Sequence, residues 1–496
     1  MGNRSYAPVG RDGGAAKVRR TLQLDGSKSA EHFLTAVVVM FGLLFATLLV
    51  PNDVEPRAAL QIPALVFVIA LSLIPVITIL RDPKAVFKAE HVVMLGPVYW
   101  LLLDPLQGRF EMRGLERDAV ERAFLAIALF VAGAWVGCIQ KPWRLPRSVQ
   151  SVARSNLTLK FYYGIGIVSF VLAFCKYAIP AKFDPVVMIT SLQGGRWAGP
   201  WQRGDLGGAD AFLDHLAYFG YLLPPLTAIV ARRIGWTNHR TIVLACGGVI
   251  LSAFLIQGGG RRLVGFYVGS GLLVWFLESP RIRMGTVLAL AATFAGMLLL
   301  SEQMLSNRNG GVFAGFFSEA TAQESGADDD GVFLRVDDNF LRLAQMTEIF
   351  PAEHDYTTWQ YPLWVAVRPV PRLFWPGKPL NPGFDLPAFL GQKGVSYSSS
   401  VVGELFMAGG FLATAVGGWF YGRLARSLSH LLEQARTSSG LIIYSIGVFA
   451  LFIGLRSMIE LVLTSYVILA WVLLVRLYDT RRQGRPAPLP RAANFR

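Results

Sequence analysis

Two arginines, Arg261 and Arg262, follow three consecutive glycines, Gly258-Gly259-Gly260, at the end of an apolar run. Glycines let a ligand approach the backbone closely. Paired guanidiniums grip phosphate oxygens through bidentate, charge-assisted hydrogen bonds. The bland alternative is a tight turn whose arginines reach up to lipid headgroups. Arg456 closes another apolar run in Gly454-Leu455-Arg456, and Glu460, four residues on, offers it a structural ion pair. The segment Arg368-Pro369-Val370-Pro371-Arg372-Leu373-Phe374-Trp375-Pro376-Gly377-Lys378-Pro379 combines three cations, two aromatic rings and a proline-locked backbone. It makes either a rigid cationic surface on which a sugar stacks at Trp375, or an interfacial anchor. Arg196-Trp197-Ala198-Gly199-Pro200-Trp201-Gln202-Arg203 has the same character and, taken alone, reads as an interfacial belt.

Candidate proton acceptors on the expected outer side are Asp337, Asp338, His354, Asp355 and Glu404. Glu404 opens an apolar run within Val401-Val402-Gly403-Glu404-Leu405, a depth at which a carboxylate is costly unless paired. Its alternative role is as structural partner to one of the arginines. His354-Asp355 are sequence neighbours in a loop and do not face each other by default. The acidic run Asp328-Asp329-Asp330 reads as a solvated turn.

The elements that must position these groups are set by composition. Of 496 residues, 53% are hydrophobic and only 16% charged, against roughly 25% charged in soluble domains. The apolar residues fall in blocks close to the length that crosses a hydrocarbon core of about 30 Å. A soluble enzyme, a disordered chain and a fibrous protein are excluded. The expected fold is an all-α polytopic membrane protein with about twelve spans. They run at 33–50, 62–80, 90–104, 122–139, 161–179, 212–231, 241–257, 263–278, 285–304, 401–421, 440–455 and 460–475. Ahead of them, 1–32 is a polar, basic tail, and 476–496 is a second basic tail.

The net charge of +14 is first a matter of topology, because Lys and Arg collect on the cytoplasmic side. With both termini cytoplasmic, inner segments hold 28 Lys and Arg and outer segments 17, of which seven sit in one long loop at 305–400. No nucleic-acid partner is needed to explain the charge. A loop of that length is expected to be functional. Within it, 332–350 repeats Phe333, Val336, Phe340, Leu343, Met346 and Phe350 at helical spacing, with Arg335, Asp338, Arg342 and Gln345 between. Such a helix lies on the membrane surface or roofs a cavity. Seven prolines across 362–387 predict an extended segment of fixed shape. Cys138, Cys175 and Cys246 read as small buried hydrophobes, and six scattered histidines give no metal-ligand spacing.

The order of these features resembles a known family. A glycine-rich turn with Arg precedes a large outer loop. Then come Pro-Arg-x-x-Trp-Pro-x-Lys-Pro and Gly-Glu-Leu-Phe-Met-Ala-Gly-Gly-Phe, the latter opening the next span. This looks like the O-antigen (oligosaccharide repeat-unit) polymerases of the Wzy type, over about 258–421. The Arg-x10-Gly spacing common in that family is met by Arg196…Gly207 and Arg372…Gly383. The resemblance implies a metal-independent glycosyltransferase of the bacterial inner membrane with no cofactor. Its substrate would be an undecaprenyl-diphosphate-linked oligosaccharide, and its partners membrane lipids, chain-length regulators and flippases. It further implies that Arg261, Arg262 and Arg372 bind diphosphate with Lys378 and Arg456 in support. Arg196 or Arg203 would position glycan or the second diphosphate, and Glu404, Asp337 or Asp338 would take the hydroxyl proton. Three other expectations stand beside it. One is a ligase using the same donor. Another is a lipid-phosphate-sugar glycosyltransferase, weakly suggested by Asp53-x-Glu55. The last is a transporter or flippase.

Overall fold

A computed structural model describes residues 29–81, 83–108, 114–195, 197–202, 208–258, 260–279, 336–368, 374–379, 382–392, 397–435 and 437–483, with isolated positions between 292 and 334 and at 370. Every regular element among the described residues is helical.

In chain order these are α1 (Ser29–Leu48), α2 (Gln61–Arg81), α3 (Ala89–Pro97), α4 (Leu103–Leu106), α5 (Arg117–Ile139), α6 (Arg147–Arg154), α7 (Leu159–Ala178), α8 (Pro185–Gln193), α9 (Gly208–Ala217), α10 (Leu223–Ile234), α11 (His239–Gln257) and α12 (Arg261–Leu277). Then come α13 (Asn339–Ile349), α14 (Gln360–Val367), α15 (Leu386–Phe389), α16 (Ser400–Gln434), α17 (Ser438–Gly454) and α18 (Met458–Gln483).

Six of these, α2, α5, α7, α11, α16 and α18, are long and apolar enough to cross a membrane. The expected spans at 33–50 and 440–455 correspond to shorter apolar helices. Two others are interrupted. The expected span at 90–104 passes from α3 through a π-turn at Val98–Leu102 into α4, and Pro97 lies at the change. The expected span at 212–231 breaks into α9, a 3-10 turn at Tyr218–Leu222, and α10, which restarts with proline in its first turn. Proline lacks the N–H that would continue the ladder, so a helix restarts at it more readily than it runs through it. The expected span at 285–304 lies mostly outside the described residues.

The closest helix crossing is between α5 and α16. A Cβ added at Gly133 would lie 2.1 Å from the Ala415 carbonyl oxygen, and one at Gly422 would lie 1.9 Å from that of Ala134. Gly133-xxx-Gly137 on one helix thus meets Gly418-xxx-Gly422 on the other, backbone against backbone. In lipid, where apolar side chains gain little by leaving the tails, small residues that admit such contact drive association.

The helix expected on the membrane surface, α13, is buried instead. It packs against α5 and α16, and none of its residues is exposed. Its polar residues are buried with partners: Asn339 Nδ2 donates to the Trp100 carbonyl at 3.0 Å, and Thr347 Oγ1 donates to that of Ala119 at 2.7 Å. Apolar periodicity located the helix. Short polar side chains that satisfy the backbone of neighbouring helices let its other face be buried as well. The proline-rich stretch also differs from expectation. Pro362 lies within the first turn of α14 and Pro387 within that of α15, positions where proline costs little. Cys246 is exposed on α11 rather than buried.

Candidate functional site

Both arginines of the Gly-Arg-Arg turn open α12, where Gly260 is the N-cap. Arg456 lies in the three-residue turn that joins α17 to α18. The segment leading into α13 carries Asp337 and Asp338. These three regions, far apart in sequence, meet at one end of the bundle. Arg456 Nε donates to Asp337 Oδ2, and Arg261 Nη2 donates to Asp337 Oδ1 at 3.4 Å. Arg262 Nη2 pairs with Glu460 Oε1 at 2.6 Å. The i, i+4 pairing of Arg456 with Glu460 expected from spacing is therefore not formed. Arg456 stands before the first helical residue of α18, so the helical spacing does not apply to it.

The Arg456 turn is fixed from several sides. Val401 N donates to the Leu455 carbonyl at 2.9 Å, and Ser398 Oγ to that of Arg456 at 3.0 Å. Tyr421, fully buried on α16, donates to the Gly454 carbonyl at 2.8 Å. Asp337 is held by the chain before it: Val336 N donates to Asp104 at 3.3 Å, while Gln107 exchanges two hydrogen bonds of 3.0 Å with Leu334.

Glu404 has a different place from the one expected of a free base. Its Oε1 accepts from Ser457 Oγ at 2.6 Å and its Oε2 from Met458 N at 2.8 Å. Met458 is the first residue of α18, so this carboxylate caps the N-terminus of a neighbouring helix, where backbone N–H groups and the helix dipole favour negative charge. Tyr361, 2% exposed, aims its phenol at the same carboxylate without ordinary hydrogen-bond geometry. Burial and then the Glu404 charge push that phenol well above the usual tyrosine range. Just beyond Glu404, α16 breaks. Gly409 and Gly410 leave helical geometry, with Gly410 at φ +63°, and the freed Met407 carbonyl accepts from Thr357 N at 3.0 Å.

The two aspartates differ chemically. Burial pushes Asp337 up, but Arg456, with Arg261 and Arg262 behind it, outweighs that and holds the carboxyl below the usual range. It is an ionised counter-ion and a weak base. Asp338 points the other way. Burial raises it, Arg342 lowers it, Asp337 raises it further, and the balance is upward. Its side chain is 59% exposed and lies 3.7 Å from Arg342. Arg342 in turn stacks 3.6 Å over the Tyr397 ring and donates to Gln345 at 2.9 Å. Among the three carboxylates expected as proton acceptors, Asp338 is the most exposed.

The other expected site residues are dispersed. Lys378 is 6% exposed and donates to the carbonyls of Arg368 and Val370, the latter at 2.9 Å, so it ties down its own loop. Trp375 is 40% exposed beside an exposed Phe374, consistent with a stacking or anchoring face. Trp201 is buried against Tyr177 and Phe254, while Trp197 is exposed; only one of the pair has the expected interfacial character. His354 Nδ1 meets the backbone oxygen of Asp355 at 2.6 Å, so the carboxylate does not orient it. Arg196, Arg203 and Arg372 lie outside the described residues. Sequence reasoning missed Ser457 and Tyr361 around Glu404, and Tyr397 beneath Arg342. A hydroxyl directly after Arg456 and at the start of α18 was the available signal for the first. Among the described residues, no group of three or more His, Cys, Asp or Glu is arranged to hold a metal ion.

Searches find no matching protein family, curated protein or solved structure for this chain.

Proposed function

We propose that this protein extends lipid-linked oligosaccharides on the outer side of a bacterial inner membrane, with both termini cytoplasmic. It transfers the glycan of one undecaprenyl-diphosphate carrier to the terminal sugar hydroxyl of another. The observation that carries the proposal is the convergence of Arg261, Arg262 and Arg456 from two separate helix ends, each held by a carboxylate from another part of the chain. Fixed guanidiniums at one end of a membrane bundle suit a lipid diphosphate, whose negative charge grows as it leaves.

In the proposed step the acceptor oxygen forms a bond to the donor's anomeric carbon. The bond from that carbon to the diphosphate oxygen breaks, and the diphosphate leaves with the electron pair. Asp338 takes the hydroxyl proton. Arg261 and Arg262, with Arg456 beside them, stabilise the leaving charge. Asp337 keeps the arginines aligned before substrate enters, and Glu404 fixes the α17–α18 turn on which Arg456 sits. Ordered donors of this kind are worth about 10²–10³ in rate each. Arg372 and Trp375 are assigned to glycan and diphosphate by the resemblance alone.

The cation distribution supports the orientation. The opposite end of the bundle carries Arg144, Arg147, Arg154, Arg232, Arg233, Arg423 and Arg426, as expected of a cytoplasmic face. A strain lacking the gene should display surface glycan of a single repeat unit. Wild-type protein should restore the length ladder, and Arg261→Ala should not. A normal ladder in the deletion strain would sink the proposal. Loss of all attached glycan would assign the protein to ligation instead.

A further inference from the structure

A second polar site lies beside the arginine cluster, at the mouth of a cavity, with the Asp214 side chain 58% exposed and that of Lys176 22%. Lys176, on the last turn of α7, pairs with Asp214 of α9 at 2.6 Å. The pair opens onto a cavity of about 210 Å³ whose walls include Tyr177, Tyr218 and Tyr267, with Leu255 contributing apolar surface. Leu263, the residue after Arg262, lines the same cavity. Tyr218 lies within electrostatic reach of Asp214 on one side and of Glu460 and Arg262 on the other. The two sites are therefore neighbours.

Ionisable side chains within apolar helices are costly and are kept where a polar occupant or pathway needs them. Lys176 and Asp214 neutralise each other, so the cavity offers no net charge. An anion would meet Asp214 and a cation would meet Lys176, and neither gains. A neutral polyol gains from both, since the carboxylate accepts from hydroxyls and the ammonium donates to hydroxyl or ring oxygens. The tyrosine rings supply flat apolar faces for the C–H side of a sugar. The volume far exceeds the ~10–15 Å³ that admits one water. It falls below the ~300–1,000 Å³ of pockets for drug-sized ligands. That leaves room for one ring.

We infer that the cavity between α7, α9, α11 and α12 binds a single uncharged sugar ring. The identity of that ring as the acceptor's terminal residue rests on the proposed polymerase reading; the binding itself does not.

The full chain in lipid nanodiscs, titrated with methyl pyranosides of glucose, galactose, mannose, N-acetylglucosamine and glucuronic acid by saturation-transfer NMR, tests this. At least one neutral glycoside should bind saturably, and the glucuronide should not compete with it. Leu255→Trp, which fills the cavity, and Asp214→Asn, which removes its acceptor charge, should each weaken binding by about tenfold. Leu412→Val, at an exposed apolar position on α16, should change it by no more than about twofold. Absence of saturable binding by every neutral glycoside overturns the inference. So does undiminished binding in Asp214→Asn, a partly exposed position suited to replacement should Leu255→Trp fail to fold. Chain growth plays no part in this measurement, so a failed polymerase assay and an empty cavity are separate outcomes.

Discussion

Asp337 occupies the space between Arg261 and Arg456, and replacing it with asparagine should have opposite effects on ligand binding and on stability. Its carboxylate competes with any anion for the two guanidiniums. A diphosphate seated against those arginines would lie about 6 Å from the Asp337 carboxylate, where two unit charges repel by about 3 kcal/mol at an effective dielectric of about 20. The Asp337 side chain is 35% exposed, so solvent screening cuts this to about half, or roughly tenfold in affinity. Asp337→Asn should therefore bind inorganic pyrophosphate about tenfold more tightly, with the gain shrinking as salt is raised. The same change strips a charge-assisted partner from two partly buried arginines and should cost about 1–3 kcal/mol of stability. Titration calorimetry on protein in nanodiscs, paired with a thermal melt, reads both. Arg261→Ala should abolish the binding. If folded Asp337→Asn binds pyrophosphate no better than wild type, the arginines are not an anion site and Asp337 is simply part of the scaffold.

Four further outcomes are expected. Because the Asp338 carboxyl is raised, its ionised, proton-accepting form is lost at higher pH than the ~3.9 of an ordinary aspartate. The acid limb of transfer activity should lie above that value and disappear, with most of the rate, in Asp338→Asn. Asp337 is held low, so its ion pairs persist above ordinary aspartate pH and weaken only as pH falls through its depressed pKa; circular dichroism should show the fold intact across the Asp338 limb. Gly410→Ala places a Cβ at φ +63° and 2.7 Å from the Tyr356 hydroxyl, which should destabilise by about 1–3 kcal/mol in a melt. Tyr356→Phe in that background should recover only the steric part. Gly422→Val drives a side chain into the Ala134 carbonyl and should prevent recovery of folded protein from membranes, whereas an exposed apolar change such as Leu412→Val on the same helix should be tolerated.

The helices were legible because their apolar runs are long, as with α2, α5, α7, α11, α16 and α18. The interruptions at Pro97 and before α10 were not, since hydropathy averages over a break that proline and π or 3-10 geometry produce locally. The buried position of α13 escaped periodicity for a different cause. Asn339, Arg342 and Thr347 look like a solvated face, and only the neighbouring carbonyls of Trp100 and Ala119, together with the Tyr397 ring, turn them inward. The arginines of the site stood out because charge counting along the sequence puts them on the side expected to be poor in cations. Which carboxylate each would take did not, because Arg262–Glu460 and Arg456–Asp337 are tertiary pairs, formed where the start of α12, the α17–α18 turn and the segment before α13 come together. Glu404 stood out by depth, and its role as a helix cap depends on Ser457 and Met458 arriving from another element.

The central claim is that this chain joins lipid-linked repeat units at the arginine cluster. The most direct measurement is to incubate purified protein in nanodiscs with one defined undecaprenyl-diphosphate-linked repeat unit and follow products by mass spectrometry. The account predicts lipid-linked dimers and longer chains with release of free undecaprenyl diphosphate, slowed about 10²–10³-fold by Arg261→Ala. Substrate left unchanged by folded, pyrophosphate-binding protein, or moved across the bilayer without any growth in chain length, would contradict it.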